Sequence, residues 1–200
     1  HLMGCMLSAA SCNQWLCKTI LHTDSYSAEQ AQIQPEALGN NHVYFLPYLM
    51  GERSPLNDPD ARACFVGMNM ATTPAEMYLA VMEGVAFAIR DSVEVARSLG
   101  IVIDSSKICG GGAKSPIWCQ MQADITGLPV SIPKEKEAAC LGAAMIAAVS
   151  DGRFAGYQEA ADFCVEMLHQ YQPNPSARLE KKYRRFCALY NAALAINAIE

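Results

Sequence analysis

Residues 108–116 read ICGGGAKSP. Ile108 and Cys109 suit a strand, three glycines follow, and Ser115 with Pro116 forms a helix start, a cap followed by a proline at the first helical position. Strand, glycine turn and capped helix together turn backbone N–H groups and a helix N-terminus towards a ligand at the carboxyl end of a strand. Glycine backbone lets such a ligand approach without a Cβ in the way. Two phosphate-loop patterns fail here. The dinucleotide fingerprint needs a glycine where Ser115 stands, and a Walker loop needs a glycine before its lysine, where Ala113 precedes Lys114. For the bare triplet Gly110, Gly111 and Gly112, a tight turn with no ligand stays open.

The elements that must hold this turn are legible on either side of it. SKIC (106–109) is the strand that feeds it. The helix after it carries Trp118, Met121 and Ile125 on one face and stops at Gly127, before Pro129 and a strand at VSI (130–132). Upstream, Thr73 as N-cap, Pro74 at N1 and Glu76 at N3 make a capping box. Tyr78, Val81, Met82, Val85, Ile89, Val93 and Ala96 then keep helical spacing to about Ser98, and Gly100 ends the helix. VYFLPYL (43–49) and ACFVGM (63–68) read as strands, with turn chemistry between them. A first helix is expected over about 8–21, and the polar stretch 22–42 reads as a loop with room for a short helix. An Ala-rich helix is expected over about 137–150, another over roughly 157–168, and a last amphipathic helix carries Leu179, Tyr183, Phe186, Tyr190 and Leu194. Strands alternating with helices define an α/β layer fold with appended helices.

Composition narrows the function. The chain has 200 residues, 52% of them hydrophobic and 18% charged, which is enough apolar material for a sizeable core. The net charge is -5, and the only basic run, EKKYRR (180–185), sits in a helical pattern and reads as a solvated face, so nucleic acid is not an expected partner. The longest apolar run, AACLGAAMIAAV (138–149), is too short for a bilayer, and its small residues suit a helix pressed closely on a neighbour. With no signal segment, the expectation is a soluble, cytoplasmic chain. The nine cysteines are odd in number and lack C-x-x-C spacing, so they read as reduced thiols among apolar neighbours, and the scattered histidines give no metal spacing.

Five blocks in one order are similar to the FGGY family of carbohydrate kinases, and within it to the xylulokinases. They are MLSAASCNQWL (6–16), FLPYLMGERSPLNDPDARACFVGM (45–68), AEMYLAVMEGVAFAIRD (75–91), ICGGGAKSPIWCQMQADITGLPV (108–130) and EAACLGAAMIAA (137–148). Ala63, Phe65, Gly67 and Met68, followed by Glu76, Met77, Ala80, Val81, Met82 and Glu83, match a family signature. The resemblance implies a ribonuclease H-like, actin-like ATPase fold: a mixed sheet flanked by helices, of which residues 1–200 would supply the C-terminal, ATP-binding domain. It further implies that the glycine turn takes the adenosine part of ATP. Gly112 would approach the nucleotide, and Gly111 and Ala113 would line it. Pro116 stands where relatives often have Asn, which removes an amide hydrogen bond and leaves packing as its role. Gln14 matches a residue near the nucleotide, although a satisfied polar residue on the first helix fits it equally well. Ala10 matches a glycine of the related glycerol kinases. GERSP (51–55) points towards xylulokinase and resembles gluconate kinases too; Glu52 and Arg53 either face a cleft between domains or form an ion pair that fixes the loop. LGAAM (141–145) reads as packed on the nucleotide-side sheet.

The function implied is ATP- and Mg2+-dependent phosphorylation of a sugar, D-xylulose first, with gluconate, ribulose or glycerol as alternatives. Family kinases draw the catalytic base, an Asp, from an N-terminal half, and no residue here matches it. The resemblance therefore implies that these residues are a part cut at His1, inactive alone, whose partners are ATP, a sugar and the N-terminal domain. An apolar face exposed where further structure belongs would favour homodimers. Two readings from other classes remain: a non-catalytic actin-fold ATP module, which Glu76–Glu83 and GERSP argue against, and a nicotinamide-dependent enzyme, which Ser115 argues against.

Overall fold

A long buried helix organises the chain. In the computed structural model, which describes residues 3–135 and 137–197, that helix is α3, Pro74–Ser98, numbered here in chain order. Its start is the expected capping box: the Thr73 hydroxyl accepts from the Glu76 N–H at 3.3 Å, and the Glu76 carboxylate accepts from the Thr73 N–H at 2.8 Å. Residues Tyr78 to Ala88 are all buried, which places this part of α3 in the core, while its last turns towards Ser98 reach the surface.

Before it come α1 (Ala10–Trp15), continued by a π-helical turn at Leu16–Ile20, and the short α2 (Tyr26–Ala31). Strands β1 (Tyr44–Leu46) and β2 (Cys64–Val66) pair antiparallel, with Phe45 opposite Phe65. β1 lies so close to α3 that a Cβ at Gly84 would run into the Phe45 carbonyl oxygen. After α3 come β3 (Ser106–Lys107), α4 (Pro116–Thr126), β4 (Val130–Pro133), α5 (Ala138–Ser150), α6 (Tyr157–Cys164), β5 (Met167–Tyr171) and α7 (Ala177–Asn197). β3 runs parallel to β4, and β5 pairs antiparallel on the other side of β4. The expected mixed α/β architecture is therefore present, split into a two-stranded and a three-stranded sheet.

The main core joins α1, α3, β1, part of α4 (Met121 and Ile125) and the inner face of α7 (Leu179, Tyr183 and Phe186). A smaller cluster of Cys119, Ala123, Val130 and Ile132 lies between α4 and the three-stranded sheet.

Four expectations need correction. The segment expected as helix to about residue 168 leaves the helix after Cys164 and becomes β5, whose side chains are mostly exposed. Hydrogen bonding to the free edge of β4 settles it there, not burial. The Ala-rich α5 is not pressed against a sheet: it buries no residue, packs on α6, and leaves Ile146 56% exposed. Small side chains allow close packing but do not supply a neighbour. The basic run 180–185 is not wholly solvated, because Lys182 is buried against Glu83. Glu52 is buried without pairing with the Arg53 side chain, since its carboxylate accepts the backbone N–H groups of Arg53 at 2.7 Å and Leu7 at 3.3 Å. Burial pushes the Glu52 carboxyl above its ordinary range.

All nine cysteines are free thiols; seven are buried or half-buried, and Cys109 and Cys140 are exposed. Among the described residues, no helix is long and apolar enough to cross a membrane. His1 lies outside the described residues.

Candidate functional site

The site is built by one strand-turn-helix-strand crossover. Parallel pairing of Ser106 with Val130 and of Lys107 with Ser131 sends the chain out of the carboxyl end of β3, through the glycines, and back along α4. Gly110 has φ +73°, a conformation that side chains disfavour. Gly111–Lys114 then forms a single 3-10 turn. The Ala113 N–H donates to the Gly110 carbonyl at 3.3 Å and the Ser115 N–H to the Gly112 carbonyl at 3.1 Å. The N–H groups of Gly111 and Gly112 open the turn and so precede any acceptor within it. The Cys119 thiol, pushed up by burial, reaches the Gly112 carbonyl at 3.7 Å from below.

The three glycines have three different reasons. Gly110 is needed for its φ. At Gly112, a Cβ would lie 3.2 Å from Nε1 of Trp118, so the indole would have to give way by a few tenths of an ångström and the chain's own packing favours the missing side chain. Gly111 has neither need: its φ is ordinary and a Cβ there would meet nothing within 4 Å. All three are exposed, so the turn is open to solvent.

Below the turn, Ser115 caps α4. Its Oγ accepts from the Trp118 N–H at 3.2 Å, and its hydroxyl donates to Oε1 of Gln30 at 2.7 Å. Ala113 is half-buried against the smaller core cluster, and Pro116 is exposed at the first position of α4. Gly111, Gly112, Ala113 and Pro116 are thus brought together at one junction. Ala10 and Gln14 are exposed on α1, which packs on α3, and no described hydrogen bond links them to the turn. Gln30 escapes sequence reasoning, because its contact spans 85 residues and leaves no local signal.

An open turn with unclaimed N–H donors at a helix N-terminus fits the sugar and phosphate parts of a nucleotide. A metal is less well provided for. Among the described residues, no three His, Cys, Asp or Glu side chains gather as a cage.

The arrangement is of the actin-like ATPase fold class, a mixed α/β architecture. Residues 1–150 match the C-terminal domain of the FGGY family of carbohydrate kinases, and the chain belongs to that family. It is 34% identical over 173 residues to the xylulose kinase of Staphylococcus xylosus, covering 86% of this chain and 36% of that protein. It is also 34% identical over 159 residues to the glycerol kinase of Saccharolobus islandicus, covering 79% of this chain and 32% of that one. The crystal structure of a xylulose kinase from Brucella ovis superposes with a TM-score of 0.86 at 31% identity, over 97% of this chain and 41% of that chain. The chain thus spans less than half the length of the relatives it matches.

Proposed function

We propose that these residues are the nucleotide-binding, C-terminal domain of a sugar kinase that transfers a phosphoryl group from ATP to D-xylulose. One observation carries the proposal: Gly111 lacks a side chain for no reason internal to the chain, at an exposed turn between a parallel strand pair and a helix N-terminus. Adenosine would lie along Gly110–Ala113, with close backbone against its sugar. The residues at the junction bind and orient the donor; they carry no group suited to removing a proton from a sugar hydroxyl. That base, the sugar pocket and the ligands for Mg2+ belong in this reading to a second domain outside these residues, in keeping with the length of the relatives. The face of α5 with Ile146, together with Phe163 and Leu168, all more than half exposed, suits an apolar contact with such further structure.

Calorimetric titration with ADP, ATP and NAD tests the site. Adenine nucleotide binding that Gly111→Val abolishes without unfolding is expected; no binding of ADP or ATP, or tighter binding of NAD, overturns it. For the longer protein, phosphorylation of D-xylulose ahead of gluconate, ribulose and glycerol is expected. The match to the Saccharolobus islandicus glycerol kinase supports glycerol as the second choice.

A further inference from the structure

Three hydrogen bonds run in series from the core to the glycine turn. Tyr78, fully buried on α3, accepts from Nε2 of Gln30 at 3.3 Å. Gln30, on α2, accepts the Ser115 hydroxyl proton through Oε1 at 2.7 Å. Ser115 Oγ accepts from the Trp118 N–H at 3.2 Å. The order matters because a serine hydroxyl has one proton and two lone pairs. A cap needs a lone pair aimed into the helix, so the proton must be placed elsewhere. Gln30 takes that proton. The other end of the same amide is held by Tyr78, so both polar atoms of Gln30 are engaged. Trp118, whose N–H receives the cap, is also the ring that lies under Gly112.

We propose that Gln30 is a positioning residue of the nucleotide site: by holding the Ser115 hydroxyl proton it fixes the cap of α4, and through Trp118 the shape of Gly110–Ala113. It acts from a separate six-residue helix and has no contact with the nucleotide in this role. The inference rests on the nucleotide reading only for its consequence, because the capping geometry stands without a ligand.

The test uses Gln30→Met, which keeps the bulk and loses both polar atoms, and Gln30→Glu, whose carboxylate can accept from both Ser115 and Tyr78. Residue-resolved amide exchange is measured without nucleotide, then ADP affinity by calorimetry. In Gln30→Met the Trp118 amide is expected to exchange about fivefold faster while amides in the middle of α3 keep their rates. Gln30→Glu is expected to keep the rate of the unaltered chain. ADP affinity should fall about tenfold in the methionine variant and recover in the glutamate variant. Unchanged exchange at Trp118, or equal acceleration across α3 and α4, overturns the inference, the second because it marks a general loss of stability. Should the unaltered chain fail to bind ADP, the nucleotide reading falls while the exchange measurement still decides the role of Gln30.

Discussion

Lys182 of α7 places its ammonium group directly on the Glu83 carboxylate of α3, with the two side chains 3% and 1% exposed. The same ammonium donates to the Asn41 carbonyl at 2.6 Å, and the other carboxylate oxygen accepts from the Gly39 N–H at 2.8 Å. Burial works against both charges, pushing Glu83 up and Lys182 down, and their attraction offsets it. Removing one partner strands the other charge away from water, at a cost of about 3–5 kcal/mol. Lys182→Met is therefore expected to lower unfolding stability in urea by about 3 kcal/mol or more at pH 7. The loss should shrink as pH is lowered, because burial raises the Glu83 carboxyl and a proton then neutralises the stranded charge. Pairing it with Glu83→Gln should recover most of the loss; a single variant as stable as the unaltered chain contradicts the account.

That pair shows how far the sequence could be read. Lys182 lies on the stripe Leu179, Tyr183 and Phe186, and Glu83 interrupts the apolar run from Tyr78 to Ala88, so both positions signal burial. A run of basic residues was the louder pattern and concealed one buried lysine. Local chemistry was legible elsewhere: the Thr73 capping box, the Ser115 cap and the left-handed stop at Gly127 all form as expected. β5 was not, because a strand held by pairing with β4 leaves no period of buried residues in MLHQY. The glycine turn could be found from sequence, but which glycine faces outward depends on Trp118 and on the backbone angles. Gln30 depends on three elements meeting, which no spacing encodes.

Gly84 carries a packing role that the pattern of α3 does not reveal. An added Cβ would strike the Phe45 carbonyl on β1, and backbone cannot swing aside as a side chain can. Ala has the higher helix propensity by about 1 kcal/mol, so an exposed helical position would gain from it. Here overpacking dominates. Gly84→Ala is expected to destabilise by about 2 kcal/mol net, read from the urea midpoint at unchanged slope. A stabilised variant would show that α3 and β1 can move apart freely.

Gly111 and Gly112 should separate folding from binding. Gly111→Ala places its methyl in open space at an ordinary φ, so unfolding stability is expected to stay within about 0.5 kcal/mol. Affinity for ADP should nevertheless fall, because the methyl occupies the approach to the turn. Gly112→Ala pushes on the Trp118 ring and is expected to shift the indole fluorescence and lower stability even without nucleotide. If both variants bind ADP as the unaltered chain does, the turn does not contact the nucleotide.

Asp91 offers a pH test with a defined sign. Its Oδ1 accepts from the Tyr183 hydroxyl at 2.6 Å and from the Cys187 thiol at 3.7 Å, and burial raises the carboxyl above its ordinary range despite those bonds. The native state therefore holds a proton at pH values where the unfolded chain, near pKa 3.9, has released it. The resulting stability is complete below about pH 4 and is lost as pH rises through the native pKa, by about 1.4 kcal/mol for each unit of the shift. Half-buried carboxylates with lowered pKa, such as Glu76 and Glu180, change stability in the opposite direction, so the total curve does not isolate Asp91. Asp91→Asn keeps an acceptor for Tyr183 and removes the titration. Stability of the unaltered chain minus that of Asp91→Asn is expected to fall as pH rises above about 4 and to level off once the native carboxyl has ionised. A constant difference would place Asp91 in contact with water and undo the burial argument for the seam between α3 and α7.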